Sequence, residues 1–211
     1  ARRDVDTVDM SRSVRIFALA ALVAVTAVEA QAYRLIYKEQ LYELNHQQLY
    51  MYPEDYAANI AWLERALDAD FANPLYALAE IETPREWEYY RTLFWMHLNL
   101  HLVDQYLGWA QEYVKLDAYF YNQPWREDNL DSLLRAESLF SLARYYWQEA
   151  LHWSAQAANY PWLNLEEIQA WEDQSWRIEH DELDYGAIID RHQERLERVR
   201  AEFEAMDEST Y

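Results

Sequence analysis

Two histidines four residues apart are the first place to look for chemistry. His97-Leu-Asn-Leu-His101, with Asp104 three residues on, puts two imidazoles and a carboxylate on one face of a helix, because positions i, i+4 and i+7 recur on that face. Imidazole nitrogens and carboxylate oxygens at such spacing are legitimate zinc ligands. No Glu directly follows His97, so the His-Glu-x-x-His pattern of zinc proteases is absent. The preferred reading is two histidines hydrogen-bonded within a semi-polar helix interface. No metal is expected, and His97, His101 and Asp104 are the candidates should one bind.

Two Glu-x-x-His pairs also occur, Glu43/His46 and Glu149/His152. Di-iron carboxylate bundles use two such pairs, plus one Glu from each of two further helices, and a Glu-bearing helix precedes the first pair. Glu43 falls on the first helix after the export signal described below, so the order is wrong. No Gly-x-Ser-x-Gly elbow exists, and Gly108 and Gly186, the only two glycines, cannot build a phosphate-cradling loop. Neighbouring carboxylates such as Glu166/Glu167 or Asp181/Glu182 would suit glycoside hydrolysis, but among 38 acidic residues such pairs carry no information. The absence of cysteine excludes disulfides, thiolate nucleophiles and Cys-based zinc or iron–sulfur sites. The sequence therefore predicts a non-enzymatic protein with no catalytic residues and no cofactor.

The elements that would position these residues are helices. The chain has 211 residues, 52% of them apolar and 16% aromatic, with 2 glycines and 5 prolines. Few glycines mean few tight hairpin turns, and abundant Ala, Leu, Glu, Arg and Gln favour helix. Ten tryptophans and eighteen tyrosines are too many for a disordered chain. The expected fold is all-α: a compact bundle of about five to seven helices. A formal charge of −20 repels phosphate backbones and anionic lipid headgroups, which argues against nucleic-acid and membrane-surface partners. Such a surface is either simply well solvated or an acidic face for a basic partner.

Taken in order, residues 1–9 carry no periodicity and are expected to be an over-extended reading frame ahead of Met10. Residues 10–32 read as a secretory signal peptide: a cationic start (Arg12, Arg15), an apolar run from Ile16 to Val28, and Ala30-Gln31-Ala32 as the small-x-small cleavage site. Cleavage after Ala32 would leave a periplasmic protein with no stable membrane insertion. Residues 33–211 then form one helical domain. Tyr33–Tyr52 makes the first helix, stopped before Pro53. Thr83-Pro84-Arg85-Glu86 is a capping-box start for a helix running to about Tyr121. It carries apolar residues on nearly every side, which marks it as central, and Gly108 within it signals a kink or a close crossing. Asn122-Gln123-Pro124-Trp125 breaks the chain, with Asp128 or Asn129 capping a helix over about 130–159. Asn164 is expected to cap a helix over 165–180, with Trp171 and Trp176 packed inward. The charged segment 182–206 carries an apolar stripe of Ile189, Leu196, Val199 and Phe203 with seven-residue character. Such a helix lies at the domain edge or pairs with another chain. That stripe and Trp125 are the candidate protein-interaction residues.

The stretch from Glu54 to Tyr76 resembles the second helix of a tetratricopeptide (TPR) unit and the turn that follows. Ile60, Leu63, Ala66 and Leu67 fall on that family's packing positions, and Asp70 ends the helix as family members do. Asn59 stands where alanine is usual, which implies looser or altered packing, and Phe71 replaces the closing proline. Ala136, Leu139, Leu142, Ala143, Tyr146, Ala150 and Ala157 make a second trace, but its turn is missing, so one continuous helix is expected there. A single degenerate repeat is expected, and no regular solenoid. The segments Tyr52-Pro53-Glu54-Asp55-Tyr56, Asn73-Pro74-Leu75-Tyr76-Ala77-Leu78, Glu86-Trp87, Phe94-x-Met96-His97, Tyr121-Asn122-x-Pro124-Trp125 and Tyr146-Trp147-x-Glu149-Ala150 are similar to exported spirochaetal proteins of the periplasmic flagellar motor collar. That resemblance implies a scaffold or assembly protein whose partners are collar or motor components, or a second copy of itself.

Overall fold

The computed structural model describes residues 36–114, 122–161 and 163–210. They form six α-helices: α1 (Lys38–Met51), α2 (Tyr56–Asp68), α3 (Pro84–Val114), α4 (Arg126–Ala157), α5 (Gln169–Glu179) and α6 (Tyr185–Glu204). Short 3-10 turns at Pro74–Tyr76, Gln123–Trp125 and Glu166–Ile168 connect them. The described residues contain no strand, only an isolated bridge between Tyr37 and Asp70. The fold is an all-α bundle, as the composition predicts. The expected signal peptide and the residues before it lie outside the described residues, as do 115–121. No described helix is long and apolar enough to cross a membrane.

The centre is the α3–α4 pair. Tyr113 meets Ser132, Tyr106 stacks on Tyr146, and Trp95 stacks on Trp153 at 4.5 Å between centroids. That pairing runs the two long helices antiparallel. Seventeen of the 31 residues of α3 are buried, spread around its girth, so neighbours cover it on several sides. Helices α1 and α2 form an antiparallel hairpin, with Lys38 beside Ala66 and Asn45 beside Asn59. Helix α6 lies antiparallel along α4, joined by Arg144–Asp190 and Arg200–Glu137 and by the stacking of Phe140 on His192.

Helix boundaries follow side-chain chemistry. At α2, Asp55 accepts the Ala58 N–H, and at α6 Asp184 accepts from Ala187. The capping box at α3 is formed: Thr83 Oγ1 accepts the Glu86 N–H, and Glu86 Oε2 accepts the N–H groups of Glu82 and Thr83. Three expected boundaries differ. Helix α4 starts at Arg126, directly after the Gln123–Trp125 turn, and Asn129 bonds back to Trp125 O inside the helix. Asn164 caps nothing; a 3-10 turn precedes α5, and the Leu165 N–H goes to Glu172 Oε1. Among the described residues the first helix begins at Lys38, past the expected start at Tyr33, and a 3-10 turn at Pro74–Tyr76 is opened by Asn73 accepting the Leu75 N–H. Trp171 packs inward, but Trp176 is 48% exposed.

The TPR-like positions Ile60, Leu63 and Ala66 are buried, the last two completely. Asn59 is also fully buried, so packing around it is close. Its amide donates to Tyr52 O and Gln105 Oε1, while Asn45 donates to Asn59 O. These bonds thread α1, α2 and α3 with polar contacts and cap the end of α1. Phe71 takes the place of proline because its ring is a hub, meeting Trp87, Tyr90, Phe94 and Trp95 edge-on. The second trace is one unbroken helix, as expected, with Ala136, Ala143 and Ala150 fully buried along it and Leu142 exposed. Gly108 marks a close approach, with the Tyr56 ring lying against its Cα.

Candidate functional site

Helix α3 carries His97 and His101 one turn apart, and α1 and α5 supply what surrounds them. His97 Nδ1–H donates to Gln174 Oε1 of α5 at 2.7 Å. That leaves the lone pair on Nε2, which lies 2.9 Å from the Tyr42 hydroxyl and 3.0 Å from His101 Nε2, so both of those groups donate to it. Trp171 stacks on His97 at 4.7 Å, and Tyr42 stands edge-on to Phe94, His97, His101 and Trp171.

Burial in this aromatic nest, with His101 and His46 close by, pushes the His97 imidazolium down to about 3. Burial and His46 push His101 down to about 4. Desolvation disfavours the charged ring, so both imidazoles are neutral near pH 7. In that state they pack and hydrogen-bond.

Asp104 does not join them. Its carboxylate accepts the Tyr185 hydroxyl from α6. Among the described residues, no group of three His, Asp or Glu is arranged to hold a metal ion. His46 and His152 are both exposed, and among the described residues neither Glu-x-x-His pair belongs to a group that could hold a metal ion.

The α6 stripe is the main correction. Ile189 and Phe203 are fully buried and Leu196 and Val199 nearly so. They face inward because α6 packs along α4, so the seven-residue spacing reflects pairing within the chain. This stripe is core, and it offers no free surface to a partner. Trp125 is 45% exposed.

Two polar knots escaped sequence reasoning. Lys38 has no exposed surface, and its ammonium donates to the carbonyls of Ala66 and Leu67, in the last turn of α2. Phe71 and Trp95 flank it at 5.2 and 5.7 Å. Burial lowers its pKa to about 8 against the opposing pull of Glu39, Asp68 and Asp70. Glu39, also buried, accepts the Ala72 N–H at 2.8 Å and the Tyr90 hydroxyl. The structure makes Lys38 the first residue of α1, where its charge faces the wrong end of that helix's dipole. It serves the C-terminal end of α2 instead. The second knot is Glu64, which accepts from Tyr106 and Tyr146 at 3.0 Å each and ties α2 to α3 and α4.

A family model described as Domain of unknown function (DUF8513) matches residues 85–206, from the start of α3 to just past α6. The chain belongs to that family. No curated protein and no solved structure matches it significantly. The DUF8513 match takes in His97, His101 and the whole α3–α4–α6 core, while Lys38, Glu39 and the TPR-like α2 precede it.

Proposed function

We propose that this DUF8513 chain is a non-enzymatic, periplasmic scaffold protein that works by binding other proteins. One observation carries the reading. Tyr50, Met51 and Tyr52 stand exposed together at the α1–α2 corner, Tyr50 at 88%. The turn after α2 presents Leu75 at 87% and Tyr76 at 74%. Large rigid aromatics displayed this way are what protein interfaces use as anchors. Scattered single apolar residues on a surface need no explanation, but three in a row do.

The TPR-like character of α2 supports the reading, because TPR helices serve protein recognition. The signal-like segment 10–32 supports export. The resemblance of short segments such as Tyr52–Tyr56 to spirochaetal collar proteins, read from the sequence alone, makes the periplasmic flagellar motor the first assembly to test. A rival reading makes the chain a periplasmic metal- or small-ligand-binding protein built on His97, His101 and Asp104. It has less support, since the Nε2 atoms already share a hydrogen bond and Asp104 is engaged by Tyr185.

The test is photocrosslinking in the native cell, with a benzophenone side chain at position 50 or 76 and a control at exposed Ala201. Adducts with collar or motor components at 50 or 76, absent at 201, support the proposal. Absence of any specific adduct at both positions overturns it. Stoichiometric metal in native protein, lost when His97 and His101 are both changed to alanine without unfolding, favours the rival.

A further inference from the structure

A cleft of about 360 Å³ opens between the N-terminal part of α3, the end of α4 and α5. Its walls include Tyr89, Tyr160 and Trp176, with two carboxylates, Glu172 and Glu179, and the Ser175 hydroxyl. Among the described residues, no lysine, arginine or histidine lines it. The volume suits a small molecule.

The aromatic walls are held in place. Tyr89 and Tyr160 lie 5.8 Å apart between ring centroids. His180 stacks on the Trp176 indole at 4.2 Å and bonds back to Trp176 O. Glu172 is fixed by the Leu165 N–H at 2.9 Å and by the Tyr89 hydroxyl. Neither Glu172 nor Glu179 forms an ion pair among the described residues. A half-buried carboxylate with no ion pair among the described residues, beside three aromatic rings, is complementary to a cation that carries apolar surface. Burial holds the Glu172 carboxyl above the usual carboxylate range, and a bound cation would reverse that. The chain's charge of −20 raises the local concentration of cations around the cleft.

We propose that this cleft binds a small organic cation, an alkylammonium or guanidinium group. The aromatic side chains would contact its apolar or planar faces, with Glu172 and Glu179 as counter-charges. An inorganic cation gains little from three aromatic walls, and an anion would meet two carboxylates. This inference stands apart from the scaffold reading, because a small cation can bind here whether or not the Tyr50 corner docks a protein.

The test is titration of the whole chain with choline and with agmatine, followed by calorimetry and tryptophan fluorescence. The control is 3,3-dimethyl-1-butanol, the neutral isostere of choline. Saturable binding of choline or agmatine, at least tenfold tighter than the neutral alcohol, is expected. Preference for choline marks a quaternary-ammonium site, whereas agmatine, with a guanidinium at one end and a primary ammonium at the other, reports binding of either group. Trp176→Ala removes a half-exposed ring and Glu172→Gln keeps an acceptor for the Leu165 N–H, so both variants should fold. Each should weaken binding about tenfold or more. Equal binding of the neutral isostere, undiminished binding in both variants, or no binding of either cation at 10 mM (roughly the weak limit of a specific site) overturns the proposal.

Discussion

Tyr56 lies so close to Gly108 that a methyl group placed on the glycine would sit 2.6 Å from the tyrosine Cε1. The contact packs the first turn of α2 against the C-terminal third of α3, and a side chain at position 108 would force the tyrosine ring to shift.

Gly108→Ala should therefore destabilise the fold, although alanine is the better helix former by about 1 kcal/mol. Overpacking of this kind costs about 1–3 kcal/mol. The ring is part of a side chain and can shift only partly, so a cost of about 2 kcal/mol is expected, a net loss of about 1 kcal/mol after the helix gain. Tyr56→Ala in the same chain should recover most of it. Denaturant midpoints of the two single variants and the double variant check this. Additive effects would mean that the two residues do not meet.

Lys38 leads to a second expectation. Its folded pKa, about 8, lies below the unfolded value of 10.5. Between those values the unfolded chain holds a proton that the folded chain lacks, so stability rises with pH across that window. Lys38→Met removes this rise and leaves the Ala66 and Leu67 carbonyls without their donor, at about 1–3 kcal/mol. Unfolding in guanidinium chloride at several pH values between 7.5 and 9.5 tests both. A wild-type slope matching that of the variant would refute the assignment.

His101 gives the opposite end of the pH scale. Its folded value of about 4 lies below the ordinary 6.5. The unfolded chain takes up a proton first as pH falls, so stability drops from about pH 6.5 down to about 4. One such group contributes about 1.4 kcal/mol per pH unit. His97 adds a second, reaching lower. Glu39 and Glu172, raised by burial, act in the opposite direction, but they are common to both proteins compared. His101→Gln keeps an N–H for His97 Nε2 and does not titrate. Its stability should fall less steeply, by one proton's worth of slope, and equal slopes in acid would show that His101 is charged in the native state.

The all-α architecture, the Thr83–Glu86 capping box and the centrality of α3 were legible in sequence because each rests on local chemistry or on a composition spread over a whole helix. The knots at Lys38, Glu39 and Glu64 were not. Each joins residues 28 to 82 positions apart, and a lone Lys or Glu in so charged a chain looks like solvated surface. Asp104 was misplaced for a related reason. Helical spacing puts it on the histidine face, yet the angle at which α6 approaches decides that it meets Tyr185.

The α6 stripe carries the last expectation. Seven-residue spacing cannot tell a partner chain from a helix of the same chain, and here α4 is the partner. Phe203 is fully buried, and its carbonyl accepts the Arg126 Nε–H at 2.8 Å. Phe203→Ala should therefore cost about 3–5 kcal/mol of stability, whereas Leu134→Ala, at an exposed position on α4, should cost within about 0.5 kcal/mol. Thermal and denaturant unfolding of the two variants separates the alternatives. If Phe203→Ala leaves stability unchanged and only abolishes an association, the stripe is an interface after all, and α6 is detached from α4 in the working protein.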